Sequence, residues 1–233
     1  MLDRILIRLF TIKSKIVFNP FIRNKKYKSF FKKFNHHLQD ETNTKLEPYY
    51  KLRFNEINSI IRKYEVKNVL EIGTGRTTFI FNIIPGVKCI SVEQDEDWLK
   101  IIDRILNQFG IIANTYLSSV SEYKNGAKFD ELPSYVPDLL YIDAPYFKKK
   151  GISKKGFNTH TGKAAYYDFE TIFKNDIFPK IIMIEGRTDT ADAILASKFS
   201  QKYDFFGEFI YCIQRKKYFA SLNFSRHSLF ILK

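Results

Sequence analysis

The chain reads as an α/β protein: an open, mainly parallel sheet with helices on both faces, closing antiparallel strands at the C-terminus and a basic helical extension at the N-terminus. Three observations predict it. Short apolar runs alternate with helical patterns through the middle of the sequence, as parallel strands joined by crossover helices require. One run, Asn68 to Ile72, opens directly into Gly73-Thr74-Gly75, where the backbone can turn sharply and approach a ligand without a Cβ in the way. Finally, the runs terminate in acids: Glu71, Glu93, Asp143 and Glu185.

Taken in order, Leu2, Ile5, Leu6, Leu9 and Phe10 recur at helical spacing with Arg4 and Arg8 between them, so residues 2 to 17 form an amphipathic basic helix. Such a helix can lie on an anionic membrane, pack on its own domain or meet a second subunit. Asn19-Pro20 breaks the pattern, and Phe18 to His37 is aromatic and basic. We take residues 1–46 as the extension and 47–233 as the main domain. Pro48 to Tyr64 carries Leu52, Ile57, Ile60 and Ile61 on a helix that leads into the first strand, where Val69, Leu70 and Ile72 suit burial on both faces.

A helix from Thr77 to Ile84 follows the glycine turn and stops at Pro85-Gly86. Val87 to Val92 is the second strand. Asp95 then caps a helix carrying Trp98, Ile101, Ile102, Ile105, Leu106 and Phe109, which Gly110 ends. Ile111 to Leu117 and Leu139 to Ile142 are the third and fourth strands. Tyr166, Phe169 and Phe173 mark a helix, Ile181 to Ile184 a fifth strand, and Thr188 or Asp189 the cap of the next helix. Phe205 to Ile213, Tyr218 to Leu222 and Leu229 to Leu232 are the closing antiparallel strands.

At 233 residues and 45% hydrophobic the chain can bury a sizeable core. Cys89 and Cys212 have no paired spacing and read as reduced thiols in a cytoplasmic protein. No apolar run approaches the roughly 20 residues of a membrane span, so membrane contact, if made, is peripheral and on the inner face. The net charge of +13 favours anionic partners. It is concentrated in the N-terminal arm and in Lys148, Lys149, Lys150, Lys154, Lys155 and Lys163.

Ligands of open α/β sheets sit outside the carboxyl ends of the strands, so the four terminal acids mark the crevice. Unpaired buried carboxylates are costly, which predicts that the crevice supplies partners such as ribose hydroxyls, an amine or a cation. Glu93 stands 20 residues after Gly73, the spacing at which an acid holds the hydroxyls of an adenosine ribose. A dinucleotide fingerprint would place a third glycine where Thr78 stands.

Val69 to Thr78, Ser91-Val92-Glu93-Gln94 and Leu139 to Pro145 resemble motifs I, II and IV of the class I, Rossmann-like S-adenosylmethionine-dependent methyltransferases. The resemblance covers about residues 47 to 200. It implies S-adenosyl-L-methionine as cofactor, with Glu71, Gly73, Gly75 and Thr77 at its methionine part, Glu93 at the ribose, and Gln94 with Ser118 or Ser119 at the adenine. More narrowly, Glu71 to Thr78, Tyr141-Ile142-Asp143-Ala144-Pro145 and Ile184-Glu185-Gly186-Arg187 are similar to bacterial methyltransferases of glycan or small-molecule pathways. Those proteins commonly carry Asp-Gly-Pro after strand four and Asp-Asp-Ala-Asn-Arg after strand five. Here Asp-Ala-Pro and Glu-Gly-Arg stand instead.

Methyl transfer from a sulfonium needs alignment and, for a hydroxyl acceptor, a base; Asp143 and His160 are the candidates, with Glu185 and Arg187 beside them. No metal is assigned, because two acids without a third ligand do not make a site. The expected acceptor is anionic, a small molecule, nucleotide-linked sugar or glycan, with Arg187 as clamp. Two alternatives stay open. Asp143-Ala144-Pro145-Tyr146 also reads as a variant of the motif of nucleic-acid amino-group methyltransferases, and the chain also reads as a non-catalytic basic binding protein on this fold.

Overall fold

The computed structural model describes residues 25–42, 50–124, 126–143, 165–174, 176–207 and 227–233. The helix expected over 2–17, Cys212, Tyr218 to Leu222, His160 and the lysines between 148 and 163 lie outside them. The described elements run α1 (Lys25–Thr42), α2 (Tyr50–Lys63), β1 (Asn68–Ile72), α3 (Arg76–Ile83), β2 (Lys88–Glu93), α4 (Glu96–Gln108), β3 (Asn114–Leu117), β4 (Val120–Tyr123) and β5 (Gly126–Phe129). They continue with β6 (Leu139–Ile142), α5 (Asp168–Phe173), β7 (Ile181–Glu185), α6 (Thr188–Leu195), β8 (Tyr203–Phe206) and β9 (His227–Leu232).

Seven strands make one sheet in the order β3-β2-β1-β6-β7-β9-β8. β1 pairs parallel with β2 and β6, β2 with β3, and β6 with β7, while β9 runs antiparallel to both β7 and β8. The order reverses at β1, so the carboxyl ends of β1, β2 and β6 surround a topological switch point. Successive side chains on each strand point to opposite faces, which splits the core in two. Val69, Tyr141 and Met183 pack with α1 to α4, whereas Leu70, Ile142 and Ile184 pack with α5, α6 and the β4–β5 hairpin.

Helix α1 is not loosely attached. Phe34 and Leu38 are buried among residues of α3 and α4, and Phe34 stacks on Phe79 with ring centroids 4.5 Å apart. Part of the segment set off from sequence as an extension thus contributes to the core.

Several expectations need correction. The hairpin β4–β5 was not foreseen; it stands between the third and fourth parallel strands and forms a separate two-stranded sheet. Gly126 is there because the backbone of Ala165 crosses it so closely that a Cβ would lie 2.0 Å from the Ala165 carbonyl oxygen. Tyr166 precedes α5 and bridges Ala127 instead of lying in the helix. Neither Thr188 nor Asp189 caps α6: Arg187 occupies the cap position, without a side-chain cap bond, and Thr188 is the first helical residue. Asp95 does cap α4, its Oδ1 accepting from the Trp98 amide at 2.9 Å. No helix among the described residues is long and apolar enough to cross a membrane.

Candidate functional site

The turn after β1 is built from its own side chains. Gly73 sits at φ +96°, a left-handed value that favours glycine, and donates its amide to the Val92 carbonyl at 2.8 Å, tying the turn to β2. Gly75 heads α3, its amide held by Thr78 Oγ1 at 2.8 Å. A Cβ built on Gly75 meets nothing within 4 Å, so the turn faces open space on that side.

Beneath the turn lies Glu71, fully buried. Its carboxylate accepts hydrogen bonds from Thr77, from Thr78 Oγ1 at 2.7 Å and from Ser91 Oγ at 2.5 Å. Burial pushes its pKa up to about 7 against these three hydroxyls, with the charge of Asp143 adding to the rise. Glu71 and Thr77 therefore meet each other, and Glu71 supports the turn from below.

Glu93, at the end of β2, has four protein donors. Thr74 gives its amide (3.0 Å) and its hydroxyl (2.9 Å) to Oε2, while the amides of Gln94 (2.8 Å) and Asp95 (3.1 Å) reach Oε1. One carboxylate thereby locks the glycine turn to the start of α4. Gln94 and Ser119 line a shallow, open recess of about 450 Å³ with Asp95, Glu96, Asp97 and Val120. Ser118 is brought to the same place but is buried, its amide on the Glu93 carbonyl at 2.9 Å and its hydroxyl taking the Glu131 amide.

Asp143 follows β6 and is about a third exposed, with Oδ1 3.9 Å from Nε of Arg187, whose side chain is 5% exposed. That Nε has no hydrogen-bond partner, and the guanidinium carbon lies 5.8 Å from the centre of the Tyr166 ring. Glu185, at the end of β7, is held by Arg53 of α2 and by the Tyr141 hydroxyl at 2.5 Å. His227 completes this cluster: Nε2 lies 3.3 Å from the Tyr141 hydroxyl and 3.7 Å from Glu185, and Nδ1 lies 2.6 Å from Glu56.

Three of the strand-end acids, Glu71, Glu93 and Glu185, find partners within the protein, in side-chain hydroxyls, backbone amides and Arg53, from positions whose proximity the linear sequence does not reveal. The structure brings Glu71, Gly73, Gly75, Thr77 and Glu93 together at one turn, and Asp143 with Arg187 at the neighbouring strand end. Glu185 belongs to a separate buried network. Arg53, Glu56, Tyr141, Tyr166 and His227 were all missed, since nothing in their spacing separates them from ordinary helix and strand residues. No cluster of acids, histidines and cysteines suited to a metal occurs among the described residues.

No protein-family model matches the sequence, and neither does any curated protein. Solved structures do. A candidate O-methyltransferase from Klebsiella pneumoniae superposes with a TM-score of 0.51 at 12% identity, over 95% of this chain and 94% of that one. The O-methyltransferase from Bacillus cereus, solved in complex with SAH, gives a TM-score of 0.51 at 10% identity, over 97% of each chain. At such identities the likeness concerns the fold alone, which this chain shares with those O-methyltransferases.

Proposed function

We propose that the chain is an S-adenosylmethionine-dependent methyltransferase that acts on a hydroxyl of an anionic acceptor. The observation that carries this reading is the pair of bonds from Thr74 to Glu93, which joins the glycine turn after β1 to the acid ending β2 at the switch point of the sheet. The residues fit the cofactor. Open space over Gly75 suits the methionine part, and the recess at Gln94 and Ser119 suits the adenine. Glu93 would hold the ribose hydroxyls by releasing Thr74 from Oε2.

The cofactor supplies an electrophilic methyl group on a sulfonium. What the chain must add is alignment and a place for the acceptor's proton. Asp143 is about a third exposed at the edge beside Glu71 and is the candidate base; His160 is a second. Arg187 faces the same carboxylate and suits an anionic oxygen. Glu185, engaged by Arg53 and Tyr141, acts as support for this corner.

Sequence adds to the case for an anionic acceptor, whether a small molecule, a nucleotide-linked sugar or a glycan. The lysines at 148, 149, 150, 154, 155 and 163 meet no acid between Asp143 and Ala165, and Arg215, Lys216, Lys217 and Arg226 meet only Glu208 between Gly207 and His227. Both segments join the sheet at its carboxyl edge, as the directions of β6, β8 and β9 dictate. The basic residues of the N-terminal arm would favour anionic lipid by charge.

Calorimetry with S-adenosylmethionine, S-adenosylhomocysteine and NAD tests the reading. Binding of the first two and not the third is expected; binding of NAD alone, or of none, would sink it.

A further inference from the structure

Helix α1 lies outside the span of the motif resemblance, yet it bonds to the first residue after the glycine turn and packs on the C-terminal half of α4, the helix that follows Glu93. Arg76 is the residue directly after Gly75 and the first of α3. Its Nε donates to Oδ1 of Asn35 at 2.8 Å, and Asn35 is 1% exposed. Phe34, the residue before Asn35, stacks on Phe79, about one turn beyond Arg76 on α3. On its other flank α1 meets α4, whose N-terminus carries Asp95 beside Glu93: Glu41 pairs with Arg104 at 2.6 Å, and the His37 ring lies edge-on to Phe109 at 5.9 Å. Phe109 in turn packs on Phe79 at 5.7 Å. The two helices that begin at the glycine turn and at Glu93 are thus braced by one element.

We propose that α1 is a working part of the cofactor site and that Asn35 is a positioning residue, which sets the glycine turn through Arg76. A buried amide oxygen that accepts from a guanidinium is a directional contact, unlike the apolar packing around it. It fixes where the first residue of α3 stands, and with it the neighbouring Gly75. This inference rests on the methyltransferase reading, and concerns how tightly the cofactor is held.

The test uses the full chain with S-adenosylhomocysteine as probe, reading affinity by calorimetry and melting temperature separately. Asn35→Ala should weaken binding about tenfold, the loss expected of one charge-assisted hydrogen bond. Asn35→Asp keeps an acceptor for Arg76 and should restore affinity. Phe34→Leu removes packing from the same helix, so it should lower the melting temperature and leave affinity near that of the parent. Unchanged affinity in Asn35→Ala would overturn the proposal, and so would equal losses in Phe34→Leu and Asn35→Ala. A parent chain that fails to bind the probe would instead refute the methyltransferase reading itself.

Discussion

Tyr141 gives its hydroxyl hydrogen to Glu185 over 2.5 Å, joining the adjacent strands β6 and β7 beneath the edge where Asp143 and Arg187 meet. The carboxylate needs this help because it is buried together with Arg53 and His227. Burial holds the tyrosine proton far above its ordinary range, with the Glu185 charge acting in the same direction, so the hydroxyl is a donor at any working pH. The result is a buried ionic network that ties α2 to β7 and β9.

That network predicts an alkaline loss of stability. Burial alone would lower the pKa of His227, but the bonds and charges of Glu185 and Glu56 outweigh it and hold the imidazole up at about 9. The folded value lies above the unfolded one, near 6.5. The associated stability, roughly 3 kcal/mol at about 1.4 per unit, is therefore complete below pH 6.5 and disappears as pH rises through 9. Melting temperatures of the parent should fall between pH 7 and 9.5, while those of His227→Gln should start lower and vary less. Parallel curves for the two proteins would refute the assignment of charge to His227.

A second expectation concerns Glu93. Glu93→Ala removes the acceptor of four donors, two of them from Thr74. Losing the ribose contact should cost on the order of 2 kcal/mol in cofactor binding. The check is calorimetry on a variant shown by circular dichroism to be folded, and parent-like affinity would remove Glu93 from the site.

Much of this was legible in sequence, and the reasons are physical. Strands buried on both faces must be apolar throughout, so β1, β6 and β7 stand out, and α4 announces itself through its acidic first turn and its apolar stripe. The glycine turn and Glu93 are local features at a fixed spacing. What escaped depends on chain crossings. Gly126 reads as a turn glycine, yet its place is set by Ala165, which is remote in sequence. His227 and Glu56 meet across an even longer separation, 171 residues. The β4–β5 hairpin had a signal, Asn125-Gly126 between short alternating runs, that the reading passed over.

Glu71 supports a third prediction. Its pKa of about 7 means that near neutral pH the carboxyl is roughly half protonated. A sulfonium and an ammonium arriving near the turn would favour the charged form. Binding S-adenosylmethionine at pH 7 should then release a fraction of a proton, seen as different calorimetric heats in buffers of different ionisation enthalpy. S-adenosylhomocysteine, lacking the sulfonium charge, should release less, and Glu71→Gln should release none. Equal heats in all buffers for the parent would place the cofactor's charges away from Glu71.

The last prediction turns on the 3.9 Å between Asp143 Oδ1 and Arg187 Nε. That separation is too long for a hydrogen bond, and the guanidinium Nε is buried without a partner, a condition that costs free energy until something fills it. One hydroxyl oxygen between the two groups would donate to Asp143 and accept from Arg187, with both distances in the normal range of about 2.7 to 2.9 Å. With the cofactor bound as methyl donor, Asp143 would take the hydroxyl proton as the acceptor oxygen attacks. Arg187 steadies the charge that grows on oxygen meanwhile. Asp143→Asn should therefore lower methyl transfer about 100-fold to 10,000-fold while cofactor affinity stays near that of the parent. Arg187→Gln should lose rate most at low pH, where the acceptor must be deprotonated on the enzyme. Radiolabelled methyl incorporation into an anionic metabolite fraction provides the measurement. Full activity in Asp143→Asn would show that the acceptor reaches the site already ionised, and would end the case for this carboxylate as base.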